Sequence, residues 1–166
     1  MHPLDPTTIR ASFVNASRKE LADLTVPPGL GELDWTKLDY LGWRDPKYAR
    51  RAYMVVPTSA SEGDALIGIV LKEADAKSGR RAQCSLCQDV TLPNDVVFYG
   101  ARRAGSAGRT GNALGSLICS DFECSANVRK LPPMAYIGYD VEAARLNRMA
   151  TLRERVSNFA RAVLDD

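Results

Sequence analysis

The chain has 166 residues, enough to bury one core with a small appendage, and its 45% hydrophobic and 25% charged residues describe an ordinary globular protein. No run approaches the roughly 20 continuous apolar residues that span a bilayer, and the opening Met-His-Pro-Leu-Asp-Pro-Thr-Thr lacks the basic and apolar regions of a secretory signal, so the expected location is cytoplasmic. The net charge of +2 is uneven: residues 1–75 carry −2, residues 76–130 carry +4 and residues 131–166 are neutral, and a basic middle suits an acidic protein surface, a phosphate backbone or plain solvent.

In chain order, residues 7–24 place Ile9, Phe13, Ala16, Leu21 and Leu24 at approximately helical spacing before Pro27-Pro28-Gly29, which predicts one amphipathic helix. Residues 33–43 carry Leu33, Trp35, Leu38, Tyr40, Leu41 and Trp43 and predict a shorter helix covering a sheet, with both tryptophans used for packing. The apolar runs 52–56 (AYMVV) and 65–71 (ALIGIVL) read as two strands joined by the turn-rich residues 57–64.

After the basic run Lys77-Ser-Gly-Arg-Arg81 come the four cysteines, Cys84 and Cys87 as C-x2-C and Cys119 and Cys124 as C-x4-C, with 31 residues between the pairs. Disulfides would need an oxidising compartment that the N-terminus does not imply. A thioredoxin-like motif would use one pair and leave Cys119 and Cys124 without a role. Two thiolate pairs instead supply a closed tetrahedral shell for one structural Zn2+, with no position left for water. An iron–sulfur cluster or a rubredoxin-like iron takes the same four thiolates, so the residues alone leave iron open beside the preferred zinc. His2, the sole histidine, is read as an exposed terminal residue and not as a ligand.

Between the pairs, residues 95–99 (DVVFY) and 113–118 (ALGSLI) read as strands, joined by a flexible basic hairpin loop, 100–111, with Arg102, Arg103 and Arg109 among four glycines. A helix is expected after Cys119, capped by Ser120 or Asp121 and ending before Pro132. Knuckle, hairpin and ligand-bearing helix are the parts of a treble clef. The last helix is capped by Asp140 and carries Met149, Leu152, Val156, Phe159 and Val163 on one stripe, with Arg145, Arg148, Arg153, Arg155 and Arg161 expected to be solvated beside Glu142 or Glu154. The predicted class is α+β: an N-terminal helical region (1–50), then a mixed α/β lobe (51–166) with a four-cysteine treble-clef zinc finger and a long C-terminal helix.

The knuckle, the aromatic strand, the Gly/Arg-rich connection and the C-x4-C opening a helix resemble the C-terminal treble-clef zinc finger of the FusB-type elongation factor G-binding proteins, the fusidic acid resistance family, best over residues 52–139. The unequal second spacing sets this pattern apart from ordinary zinc ribbons. The resemblance carries the zinc ligands onto Cys84, Cys87, Cys119 and Cys124. It implies a non-catalytic role in translation: gripping elongation factor G through the zinc-bearing lobe and assisting its departure from the ribosome, which rescues complexes stalled by fusidic acid. The region before Ala52 is short for the helical bundle of the resistance proteins, so a housekeeping relative acting on the factor, the ribosome or both is equally implied.

Catalysis is not expected. The only histidine is His2, no Walker-type phosphate loop is present, and a shell of four cysteines leaves a metal no open position for a substrate. Candidate partner-binding residues are Arg102, Arg103 and Arg109 on the hairpin loop and Met134 and Tyr136 after the finger helix, which flank the metal core without ligating it. A second reading is a ribosomal RNA-binding zinc module that uses the same arginines with Phe98 and Tyr99, one of the two rings packing inside. A third is a redox sensor that loses zinc on thiolate oxidation.

Overall fold

Alternation along the apolar runs sends Ala52, Met54 and Val56 to one side of a sheet and Tyr53 and Val55 to the other, and both sides are buried. In the computed structural model, which describes residues 1–59, 64–75, 82–89 and 95–165, these runs become β2 (Arg51–Ser59) and β3 (Asp64–Glu73), paired from Arg51↔Lys72 to Ser59↔Asp64. Pro57 to Ser59 and Asp64 are thus strand and not turn; the rest of the expected connection, residues 60–63, and the basic run 77–81 lie outside the described residues. With β1 (Leu41–Arg44), β4 (Val96–Arg102) and β5 (Ala113–Cys119) they form a five-stranded antiparallel sheet in the order β1-β2-β3-β4-β5.

One face of the sheet carries the main core. Met54, Ile69, Leu71, Tyr99 and Ile118 pack there against Val128 of α4 (Cys124–Arg129) and against Leu152, Val156, Ala160 and Val163 of α5 (Val141–Leu164). The apolar stripe expected on the last helix is the stripe it buries, with Met149 and Phe159 at its margin and Asp140 accepting the Ala143 N–H as cap. The fold is α+β, as the element pattern implies.

The N-terminal segments cover the other face, where Ile9, Leu24, Trp35, Trp43, Tyr53 and Val70 are buried together. Here two expectations are corrected. The single helix over 7–24 is two, α1 (Pro6–Ala11) and α2 (Arg18–Asp23). Between them the chain joins β3 edge-on: Val14 N–H donates to Gly68 O (2.9 Å), Gly68 N–H donates to Ser12 O (2.8 Å), and the buried Asn15 side chain bonds Val70 N, Val70 O and Arg102 O. Gly68 permits this approach, since a Cβ there would stand 2.9 Å from Phe13 N. The helix expected over 33–43 is instead a 3-10 turn (Trp35–Lys37) followed by β1, because Leu41 and Trp43 face the N-terminal cluster while Tyr40 enters the main core.

The finger differs from its sequence reading in two places. The expected loop 100–111 is ordered into the end of β4 and a short helix, α3 (Gly105–Arg109). The finger helix starts at Cys124 with Glu123 as N-cap, not at Ser120 or Asp121, because residues 120–123 form a tight turn in which Phe122 N–H donates to Cys119 O (3.1 Å) and Phe122 has φ 60°.

Candidate metal centre

The C-x2-C knuckle hangs from the edge of the hairpin. Ser85 N–H donates to Leu117 O of β5 (2.8 Å), and Gln88 N–H closes the turn on Cys84 O (3.0 Å). Cys119 ends β5 and Cys124 opens α4, so strand, turn and helix deliver the second pair to the first. All four Sγ atoms lie within 4.8 Å of one another, with Cys84–Cys124 at 3.6 Å and Cys87–Cys119 at 3.7 Å. An ion about 2.3 Å from each of four tetrahedral sulfurs sets them about 3.8 Å apart. The set therefore fits a single ion, whereas a cluster with several irons between the sulfurs needs wider spacing. No cysteine is more than 5% exposed, so the shell is closed to water and the site is structural.

The four thiols are close enough to share protons. Without a cation they compete for charge: S–H bonds from Cys119, Cys124 and Cys87 hold the Cys84 thiol far below its usual range, while bonding to Cys119, Cys84 and Cys87 drives the Cys124 thiol far above it. A divalent ion removes that competition and lets all four be thiolates. Around them, Asn127 Nδ2 donates to Cys119 Sγ (3.8 Å) and the buried Tyr40 hydroxyl donates to Phe122 O (3.5 Å). Burial pushes the Tyr40 phenol well up and keeps it neutral. Phe122 stacks on Tyr99 with centroids 5.4 Å apart and lies against Gly42, where a Cβ would be 2.5 Å from the ring.

The arginines of α5 meet the expectation of solvation only in part: Arg153 and Arg161 are exposed, whereas Arg148 and Arg155 are half-buried and bonded to the finger. Among the described residues, Arg145 alone makes the anticipated pair, with Glu142. Arg148 donates to Asp89 (3.0 Å), Asn127 O (3.3 Å) and Lys130 O (3.2 Å), which ties the knuckle to the end of α4. Arg155 donates to Leu86 O inside the knuckle (3.3 Å). Arg153 and Arg129 converge on Asp39, whose side chain is 1% exposed. Asp39, Asp89 and Asn127 were not singled out from sequence; Asp39 meets Arg129 and Arg153 across 90 and 114 residues, and no local pattern marks such a pair.

The five candidate partner residues fall into two groups. Arg102, Arg103 and Arg109 line one cleft of about 310 Å3 with Asn15 and Ser17. Arg102 holds Glu20 through two bonds (2.9 and 2.7 Å), and Arg103 donates to Ala162 O (2.7 Å) and Asp165 O (2.6 Å) at the carboxyl end of α5. Met134 and Tyr136, 70% and 65% exposed, lie on the connection that enters the amino end of α5. The 24 residues of α5 make it about 36 Å long, so the two groups sit toward opposite ends of that helix. Leu131 and Ile137, 59% and 102% exposed, extend the second group and escaped the sequence reading.

A knuckle and hairpin closed on a ligand-bearing helix by four buried thiolates define a treble-clef zinc-finger protein. The family model described as "FBP C-terminal treble-clef zinc-finger" matches residues 8–163, and the chain belongs to that family, with one structural Zn2+ held by its four cysteines. A search of curated proteins returns no match to the chain.

Proposed function

We propose that the protein is a non-catalytic adaptor that binds elongation factor G through the connection between α4 and α5 and promotes its release from the ribosome. The observation that carries this reading, within a family of FusB-type factor-binding proteins, is a run of exposed apolar side chains, Leu131, Met134, Tyr136 and Ile137, beginning two residues after the helix that bears Cys124. Isolated exposed apolar residues are ordinary, but four within seven positions of one connection mark an interaction surface. Zinc contributes indirectly, by fixing α4 and therefore the root of the connection. Ribosome contact, protection against fusidic acid and a cytoplasmic location belong to the same proposal; among the described residues no helix is long and apolar enough to cross a membrane.

The third reading, a redox sensor, finds less support because the thiolates are buried and would be capped by zinc. The test is co-purification of elongation factor G with the zinc-loaded chain. Near-stoichiometric recovery, lost in a Met134→Ala, Tyr136→Ala, Ile137→Ala triple variant that keeps its zinc, is expected; recovery unchanged by the triple variant refutes the assignment of this surface.

A further inference from the structure

The N-terminal cluster covers its face of the sheet from β1 to β3, and neither its buried members nor the side chains packed against them come from β4 or β5. Among the described residues, what stays open there is an aromatic ring over a glycine floor. Gly100 and Gly115 are cross-strand partners, and Phe98, 44% exposed, lays its ring over Gly115 so closely that a Cβ there would sit 2.0 Å from Phe98 Cζ. Lys72 stands beside Gly100 across one ladder, Arg51 stands beside Lys72 across the next, and Arg102 follows Gly100 by two residues on the same face. Lys72, Arg102 and Arg109 are exposed. Glu20 is bonded into this group, where it pairs with Arg102. Two clefts flank the Glu20–Arg102 pair: one of about 450 Å3 lined by Tyr48, Arg51 and Lys72, and the arginine cleft already described.

We propose that this face binds single-stranded RNA, one base stacking on Phe98 above the Gly100–Gly115 floor while neighbouring phosphates run along Lys72, Arg51, Arg102 and Arg109. Gly115 has no side chain, which leaves room for the Phe98 ring to lie against the strand with its outer side exposed, and every base has a π-face to offer that side. A duplex keeps its bases stacked inside and has nothing to place there. An acidic protein surface would meet the cations and leave the ring unused. The site is separate from the connection assigned to elongation factor G and stands on different residues.

The experiment is fluorescence anisotropy of the full, zinc-loaded chain with fluorescein-labelled oligouridine and oligoadenine of about 12 nucleotides, repeated over a range of potassium chloride. Phe98→Ala is expected to weaken binding about 5- to 150-fold, the loss of one base stack. Phe98→Tyr keeps a ring and is expected to bind within about twofold of the parent. Lys72→Ala is expected to lower the slope of log affinity against log salt by about 0.7, one phosphate contact. Unaltered affinity in Phe98→Ala, or equal competition by a polyglutamate or by duplex RNA, overturns the proposal. Zinc content and near-ultraviolet dichroism confirm that each variant is folded, and capture of elongation factor G by Phe98→Ala tells failure of this site from failure of the factor surface.

Discussion

Replacing Cys119 by Ser removes one thiolate from a sulfur set that is otherwise complete, and it does so at a position only 1% exposed. The four ligands belong to the same buried cluster as Met54, Ile69, Leu71, Val128, Leu152 and Val156, so the finger has no core of its own to lose separately. A structural zinc contributes about 10 to 16 kcal/mol to folding, against a net stability of about 5 to 15 kcal/mol for a typical domain. Forfeiting even about 4 kcal/mol of it lowers the melting temperature of a chain this size by about 8 to 16 °C. Cys119→Ser should therefore bind less than one zinc per chain and melt at least that much lower. Excess chelator on the parent protein should unfold sheet and α5 in one transition, seen together in near- and far-ultraviolet dichroism as one zinc per chain is released. Acid should act in the same direction. Zinc holds as thiolates groups whose ordinary pKa is 9.0, so the stability it confers is present at neutral pH and is lost as falling pH returns protons to the sulfurs. A chelated protein that kept its native near-ultraviolet spectrum, with a melting temperature within about 2 °C of the parent, would refute this account.

Asp39→Asn leaves Arg129, only 16% exposed, without its carboxylate; a loss of about 3 to 5 kcal/mol is expected by urea denaturation, and an Asp39→Asn chain as stable as the parent would show the cluster to be incidental. Gly68→Ala drives a Cβ into Phe13 N at 2.9 Å and Ser12 Oγ at 2.5 Å, so the chain between α1 and α2 must shift, at a cost of about 1 to 3 kcal/mol with β2, α4 and α5 unchanged; hydrogen exchange localises the effect. Burial and the hydrogen bond to Asp45 raise the Tyr53 phenol above its ordinary 10.0, so its contribution is complete below about pH 10 and declines as pH rises past that value. Tyr53→Phe should cost about 1 kcal/mol at neutral pH and flatten the alkaline limb of the stability curve; an unchanged limb would assign alkaline unfolding to other groups.

The metal centre was legible because its determinants are local. Two cysteines within a knuckle and two across the strand-to-helix turn announce a shared ion by spacing alone, and the stripe on α5 repeats at the helical period over several turns. A local signal was also available where the first helix breaks. Ser17-Arg-Lys-Glu20 is a capping box, observed as such, and marks a helix start inside the apparent single run.

Tertiary structure decided the rest. Residues 40–43 carry both a plausible helical face and a plausible strand alternation, and the choice fell to β2, which offered an unpaired edge for Leu41↔Val55 and Trp43↔Tyr53. The roles of the α5 arginines depend on which carboxylates and carbonyls other segments bring within reach, such as Asp39, Asp89 and Leu86 O. Sequence therefore set the chemistry of the site, since ligand type and spacing are covalent facts. Only packing at long separation could determine which side chains brace it and which remain free to meet a partner.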